Sequence, residues 1–511
     1  MKEKKRKEKI ELILLSLILF LGAFLRFIYI GKQSLWIDET GTYELMIGSI
    51  SSIIKKLTIE FAPPFYYIFP KISLYVFGKN EFAMRLPSVI FGILSIFMIY
   101  KLGKYLFNNK AGLISALILA TNPLNIATSQ NARPYSLSIL LTLISIFYFF
   151  KILKEGKIKN WIFYIISSAL LIYTHPFNLF IILIQNVYML IIYRKNFIML
   201  RNWFLSQLIL FILYLPWLSV TISAIFNAAE IYYYGISPSL FKLLRVFPRF
   251  SGYAPNEVNK YLQVFNLELN FTDWLWIFCL LLICFVFFIS FVKAVINIKK
   301  NKNSIFFLLL FLILPVLIIF LISKIYTPLF EDKYFLTSSI ALYLIVGYGI
   351  SMIRGGKKKI LFISLILLVI FLQLMLNVFG FHDIYFNNYV NDFRTPISYI
   401  EQNSKQNDLV LYQRADNPIH RNFGLVERPP LLFYYNGNLD TDTLYTDLNG
   451  RYLSKSFSYF DERNKLIEYD RIWLLVRGSC DKQSDLVKEI TGYKEVMRKE
   501  YIGTSLCLFK R

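Results

Sequence analysis

Apolar runs long enough to cross a bilayer recur along this chain from its start to about residue 380. A helix needs about 20 residues to span the hydrocarbon, and in lipid every backbone polar group must be satisfied within the helix. These runs therefore predict a polytopic α-helical membrane protein. Eleven are expected, near 10–30, 83–103, 112–127, 136–151, 161–174, 178–193, 204–223, 273–293, 304–323, 334–352 and 360–380. The segment from Pro63 to Phe77 is shorter and carries Pro63, Pro64 and Pro70, so it reads as a juxtamembrane or re-entrant piece.

The loops support this count. Basic residues mark cytoplasmic loops because they resist translocation. Lys2, Lys4, Lys5, Arg6, Lys7 and Lys9 precede the first run, and every second short loop is then basic, as at Lys101/Lys104/Lys110, Lys151/Lys154/Lys157/Lys159 and Lys357/Lys358/Lys359. A multi-pass plasma-membrane protein follows, with a cytoplasmic N-terminus. The net charge of +23 needs no nucleic-acid partner, since most of the excess lies where it orients the spans and meets anionic lipid. The first run is expected to remain as a span rather than be cleaved as a signal peptide.

Two domains are expected. Residues 1–380 form the transmembrane domain, with a first outer loop at 31–82 and a large outer loop at 224–272 that contains Tyr232-Tyr233-Tyr234. Residues 381–511 form a small extracytoplasmic α/β domain. In it Asp408–Tyr412, Arg471–Val476 and Thr504–Phe509 read as strands, and Phe393–Gln406 and Asp485–Arg498 as helices. Cys480 and Cys507 lie in this outer tail, where a disulfide between them is open; Cys279 and Cys284 lie in one span as packing residues.

Polar motifs cluster at the outer ends of the spans. Trp36-Ile37-Asp38-Glu39-Thr40 places two carboxylates just past the first span. Such a pair can start a helix, accept a proton from a hydroxyl, or help hold a divalent ion. Ala62-Pro63-Pro64-Phe65-Tyr66-Tyr67 forms a second outer segment. Asn131-Ala132-Arg133-Pro134-Tyr135 opens the fourth span, and its arginine either snorkels to the interface or binds phosphate through paired donors. His175, in Thr174-His175-Pro176, is either a packing residue, a donor to phosphate or a metal ligand. Lys333, in Glu331-Asp332-Lys333-Tyr334, sits against the positive-inside trend and suits a lipid-linked phosphate. His175, His382 and His420 form no HExxH pattern, and no P-loop, GxGxxG, GxSxG or kinase signature occurs, so zinc-hydrolase, nucleotide-driven and nicotinamide chemistry have no support.

In their order along the chain these motifs resemble the GT-C membrane glycosyltransferases of the glycosyltransferase family 39 type, which include protein O-mannosyltransferases and the lipid A aminoarabinose transferase. The resemblance rests on Leu35 to Thr40, Pro63 to Tyr67, Arg85-Leu86-Pro87-Ser88, Ser129 to Tyr135, Thr174-His175, Lys333-Tyr334, and Phe393-Arg394 through Leu411. The chain departs from that pattern at Ala62, Asn131 and Lys333, where the family often has His, Glu and Arg. No cofactor is certain, and a divalent metal is left open by Asn131.

The resemblance implies inverting transfer of a sugar from a polyprenyl-phosphate-linked donor to an extracytoplasmic acceptor, whether protein, lipid or cell-surface glycan. Asp38 is then the general base and Glu39 its support. Arg133, His175 and Lys333 hold the donor phosphate, and Tyr66, Tyr67 and Tyr135 line the sugar pocket or anchor the interface. A lipid-linked saccharide flippase is the alternative. It would need paired repeats or spans broken near the midplane, and neither is evident.

Overall fold

The computed structural model of the protein describes residues 2–226, 237–251, 271–353, 355, 364–365, 368, 370–372, 392–415, 429–446, 466–477, 479–501 and 504–511. Tyr232, Tyr233, Tyr234, His382, His420 and most of the run at 360–380 lie outside these residues. The chain forms two compact units. The first comprises Met1–Ile30, Phe61–Pro70 and Arg85–Tyr385, and the second Gly31–Glu60, Lys71–Met84 and Phe386–Arg511. Residues 31–60 and 71–84 thus group with the tail, while Phe61–Pro70 stays with the first unit.

Helices α1 (Lys2–Phe27), α2 (Ile37–Met46), α3 (Ile50–Ile59), α4 (Ile68–Phe77), α5 (Glu81–Leu106), α6 (Asn109–Thr121), α7 (Pro123–Ser129), α8 (Tyr135–Glu155), α9 (Ile158–Ile172), α10 (Leu179–Ile192), α11 (Phe197–Phe226), α12 (Leu240–Phe250), α13 (Phe271–Ile296), α14 (Lys302–Ile325) and α15 (Leu336–Ser351) precede the tail. Every expected run up to residue 352 is helical, the one near 112–127 as the two helices α6 and α7. The expected count of eleven crossings is not reproduced. Among the described residues six helices are long and apolar enough to cross, or seven if α6 and α7 form one span bent by 63°. The runs at 161–174, 178–193 and 273–293 correspond to the shorter apolar helices Ile158–Ile172, Pro176–Ile192 and Leu281–Ile296. Helix α4 has ten residues. That is about 15 Å, half of the hydrocarbon thickness, as expected of a segment that does not cross.

The break between α6 and α7 has a local cause. Pro123 lacks the N–H that would continue α6, and the Asn122 side chain caps α7 by accepting from Asn125 N. The break exposes carbonyls at the end of α6 inside the bundle. Arg26 of α1, 1% exposed, meets them: Nη1 donates to Ala120 O at 2.9 Å, Nη2 to Leu119 O at 2.9 Å, and Nε to Ser129 Oγ at 3.1 Å. In a low-dielectric setting each unmatched carbonyl costs several kcal/mol. Arg26→Met should therefore destabilise the protein by about 3 kcal/mol or more, read as a lower thermal midpoint in detergent. A midpoint equal to that of the wild type would show that the guanidinium is not what holds the break.

The second unit is built on a five-stranded sheet of order β2-β1-β3-β5-β4. Strands β1 (Asp408–Ala415), β2 (Asp440–Thr446) and β3 (Arg471–Arg477) are mutually parallel, and β4 (Lys494–Tyr501) and β5 (Thr504–Lys510) close the sheet antiparallel. Helices α16 (Arg394–Asn403), α17 (Pro429–Tyr434) and α18 (Asp481–Thr491) accompany it. The three expected strands are present. The helix expected over Asp485–Arg498 is corrected: it ends at Gly492, in the left-handed region at φ 75°, and the charged alternation from Lys494 is edge strand β4. Asp408 is buried at the start of β1 and is matched there by Arg471 Nη2 at 2.6 Å and Trp473 Nε1 at 2.7 Å. Cys480 and Cys507 are joined in a disulfide. Cys284 is a free, half-buried thiol.

Segment 31–60 packs against this domain. Tyr43 of α2 meets Phe433 of α17 edge to face, with ring centroids 5.0 Å apart. Ile37 packs on the tail core of Phe393, Ile397, Val410 and Trp473. Segments in such contact lie on one side of the membrane, whichever side that is.

Candidate active site

In the first unit, three chain segments converge around His175. The first is the Pro-Pro segment. Phe65 N–H donates to Tyr173 O at 3.0 Å, which ties Pro63–Tyr67 to the turn before His175. Tyr66 is fully buried, and its hydroxyl is 2.9 Å from Ser88 Oγ. Ser88 Oγ in turn donates to Arg133 O at 3.4 Å. Tyr66 thus braces the arginine loop, and Tyr67 packs edge to face on it at 5.8 Å.

The second segment is the loop Gln130–Pro134, which leaves the bent end of α7. Gln130 Nε2 donates to Arg26 O and Ile28 O at 3.1 and 2.9 Å, and Ser136 Oγ to Thr128 O at 3.1 Å. The loop is held at both ends, and Tyr135 opens α8 directly after it. The third segment is the turn Asp332–Phe335 before α15. Its Tyr334 ring stacks on Phe177 at 4.3 Å and lies 5.7 Å from the His175 ring, with Lys333 Nζ 5.7 Å from its centroid. On the other side Tyr135 lies 5.9 Å from His175.

His175 records the charge of this cluster. Burial, helped by the nearby Arg133 and Lys333 cations, pushes its pKa down to about 3 from an ordinary 6.5. The imidazole is therefore neutral at physiological pH. Its Nδ1 accepts from Phe177 N–H at 3.4 Å, so the ring proton is on Nε2, where it can donate. The sign for stability follows. Between about pH 6.5 and 3 the unfolded chain binds a proton that the folded chain does not, so stability falls as pH falls through this window. His175→Gln should lose less of its thermal midpoint than the wild type between pH 7 and pH 4. Parallel losses would remove His175 as the source.

Sequence reasoning overlooked the basic face of α12. Lys242, Arg245 and Arg249 stand at i, i+3 and i+7, on a face about 100° round the helix from the buried Leu243, Val246 and Phe250. Lys242 pairs with Glu331 at 3.3 Å, two residues before Lys333. At the other end Phe250 O accepts from Asn122 Nδ2 at 3.0 Å and Tyr343 OH at 2.9 Å. The 3–4 spacing of basic residues was the available signal.

Asp38 and Glu39 belong to the second unit, in the first turn of α2. Glu39 is 1% exposed, and its Oε2 accepts from Trp36 N–H at 3.2 Å. It fixes the helix start, so the capping alternative describes Glu39. Asp38 is only half-buried, and its backbone oxygen accepts from Thr42 Oγ1 at 3.0 Å. Among the described residues no three His, Cys, Asp or Glu side chains gather as a metal-binding group. Glu39 is turned to its own helix start.

Residues 62–220 match the family model described as dolichyl-phosphate-mannose-protein mannosyltransferase. Two curated relatives are the putative mannosyltransferases YkcB and YycA of Bacillus subtilis (strain 168). YkcB is 26% identical over 168 residues, which is 30% of this chain and 22% of the relative. YycA is 25% identical over 161 residues, 28% of this chain and 22% of the relative. The match thus spans about a fifth of the length of either relative. Among solved structures, ArnT from Cupriavidus metallidurans superposes with a TM-score of 0.57 at 11% identity, covering 96% of this chain and 97% of that one. The oligosaccharyltransferase AglB from Archaeoglobus fulgidus, in complex with an inhibitory peptide and a dolichol-phosphate, superposes at 0.53 with 11% identity, covering 98% and 74%. The resemblance read from the motifs is thus supported: residues 62–220 match the mannosyltransferase family model, and the chain has the fold that ArnT and AglB share.

Proposed function

We propose that the protein transfers one sugar from a polyprenyl-phosphate-linked donor to a hydroxyl acceptor outside the cytoplasm. The observation that carries this reading is the convergence of Arg133, His175 and Lys333 with Tyr135 and Tyr334 around one point of the first unit. Two cations and a neutral Nε2–H donor suit a phosphate monoanion or dianion at a membrane interface. Lys242, Arg245 and Arg249 add to the same field. The description of the matched family names a dolichyl-phosphate mannose donor, and the AglB structure holds dolichol-phosphate.

In the proposed reaction the Asp38 carboxylate takes the proton of the acceptor hydroxyl. The oxygen attacks the anomeric carbon, and the bond from that carbon to the phosphate oxygen breaks with inversion. Its electron pair leaves on polyprenyl phosphate, where Arg133, His175 and Lys333 stabilise the charge. Glu39 holds the helix that carries Asp38. Tyr67 and Tyr135 border the sugar, and Tyr66 braces the arginine loop. The N-terminus is placed in the cytoplasm and the tail outside. The basic-loop alternation supports this orientation, as does the Cys480–Cys507 disulfide, which suits an oxidising compartment.

Purified protein incubated with a panel of polyprenyl-phosphate sugars, mannose first, and candidate protein, lipid and glycan acceptors should release polyprenyl phosphate with at least one pair. Release from none of them would sink the transferase reading.

A further inference from the structure

Nothing in the family description assigns a task to the tail, yet the second unit ties it to the segment that presents Asp38. The tie is a set of hydrogen bonds centred on Tyr434, the last residue of α17. Its hydroxyl accepts from Leu35 N–H at 2.5 Å and from Ser34 Oγ at 3.2 Å, and donates to Glu81 Oε1 at 3.0 Å. A phenol has one proton to give and can accept from others, so these three bonds are mutually consistent. Glu81 Oε1 also pairs with Arg394 Nη2 at 2.5 Å. The same Arg394 nitrogen donates to Lys32 O at 3.1 Å, and Phe393 N–H donates to Ser34 Oγ at 3.2 Å. Phe433, next to Tyr434, packs on Tyr43 inside α2, and Lys79 Nζ lies 5.8 Å from each of those two rings.

Leu35 is fully buried and stands three residues before Asp38. Its N–H therefore has no solvent to replace the phenol oxygen. Three tail residues, Phe393, Arg394 and Tyr434, thus set the path of Lys32 to Leu35, and Phe433 sets the far side of the helix that follows. Asp38 follows that segment directly, at a distance too short for the chain to absorb a shift upstream. A base must lie within hydrogen-bond reach of the proton it takes. A displacement of about 1 Å in such a group can cost about 100-fold in rate.

We propose that Tyr434 is a positioning residue for the base: the tail domain fixes the segment before α2 through the Tyr434–Glu81–Arg394 set and thereby aims Asp38 at the acceptor. The inference rests on the transferase reading given above. It assigns the tail a part in turnover and none in donor binding.

The test uses the full-length protein in detergent with four forms: wild type, Tyr434→Phe, Asp38→Asn and the double variant. Polyprenyl phosphate release from polyprenyl-phosphate mannose, or from whichever panel member the wild type turns over, gives kcat. Undecaprenyl phosphate gives a Kd, and amide exchange reports residues 34–40. Tyr434→Phe should lower kcat by on the order of 100-fold, leave the Kd within about twofold of wild type, and speed exchange at Leu35 to Thr40 while the β3 and β5 amides keep their protection. The double variant should be no slower than Asp38→Asn alone, because a base that is gone cannot be misaimed. A further loss in the double variant would mark Tyr434 as merely structural and overturn the proposal. So would full turnover of Tyr434→Phe in a preparation where Asp38→Asn is inactive. Full turnover of Asp38→Asn would instead overturn the role of Asp38 itself, and the positioning claim with it. If Tyr434→Phe fails to fold, Glu81→Gln takes its place, since it keeps an acceptor for the phenol and removes the charge that holds Arg394.

Discussion

Asp38→Asn should cut polyprenyl phosphate release by about 10²- to 10⁴-fold, the range a positioned general base supplies. The change is nearly isosteric. It removes the capacity to take a proton and leaves the backbone that accepts from Thr42 Oγ1 untouched. Asp38 is half-buried and is not the residue that fixes the helix start, since that task falls to Glu39 through Trp36 N–H. Folding should therefore be kept, and the thermal midpoint should move little. Binding of undecaprenyl phosphate should also be kept, because the residues assigned to phosphate are others. Glu39→Gln makes the contrast. An amide oxygen can still accept from Trp36 N–H, so that variant should keep most of its turnover if Glu39 only holds the helix. Wild-type turnover in Asp38→Asn, with acceptor at saturation, would take the base assignment away.

Much of this site was legible in the sequence because its signals are local. Proline pairs, a lone arginine opening a span and a lysine outside the positive-inside pattern are each visible in a few residues. The helices up to residue 352 were legible for the same reason, since hydrophobicity over about 20 residues is a strong and redundant signal. What was not legible depends on contacts distant in sequence. Arg26 reads as one more charge at the end of the first span, but its meaning comes from carbonyls about a hundred residues away at the α6 break. Asn122-Pro123 is the local mark of that break, and it sits inside an apolar run that reads as one span. Tyr434 sits in an unremarkable Phe-Tyr-Tyr stretch, and nothing near it announces Leu35 or Glu81 as partners. Tyr29 and Phe61, which flank the segment that carries Asp38, adopt φ of 56° and 50°. Aromatic residues seldom take that left-handed conformation, and no sequence pattern marks it. The tail helix over Asp485–Arg498 went wrong for a different reason. An edge strand with charge on both faces lacks the apolar alternation that identifies a half-buried strand.

Arg133→Ala should weaken undecaprenyl phosphate binding by roughly 10- to 100-fold, the loss expected when a charge-assisted donor pair is removed from a shielded phosphate. Arg133→Lys should recover only part of this, because a point ammonium does not reproduce the guanidinium fork. The alanine variant keeps the bonds that Gln130, Ser136 and the Arg133 carbonyl make to hold the loop. A second readout separates charge from shape. Burial is the larger cause that holds the His175 pKa low, and Arg133 is the next. Removing the guanidinium should therefore raise the pKa of His175 while burial still keeps it below the ordinary value. Stability of Arg133→Ala should accordingly fall over a narrower span of acid pH than that of the wild type, since the folded and unfolded pKa values move closer together. Undecaprenyl phosphate affinity equal to wild type, measured at one salt concentration and at pH 7, would remove Arg133 from the donor site and leave Lys333 and the basic face of α12 as the groups that hold the phosphate.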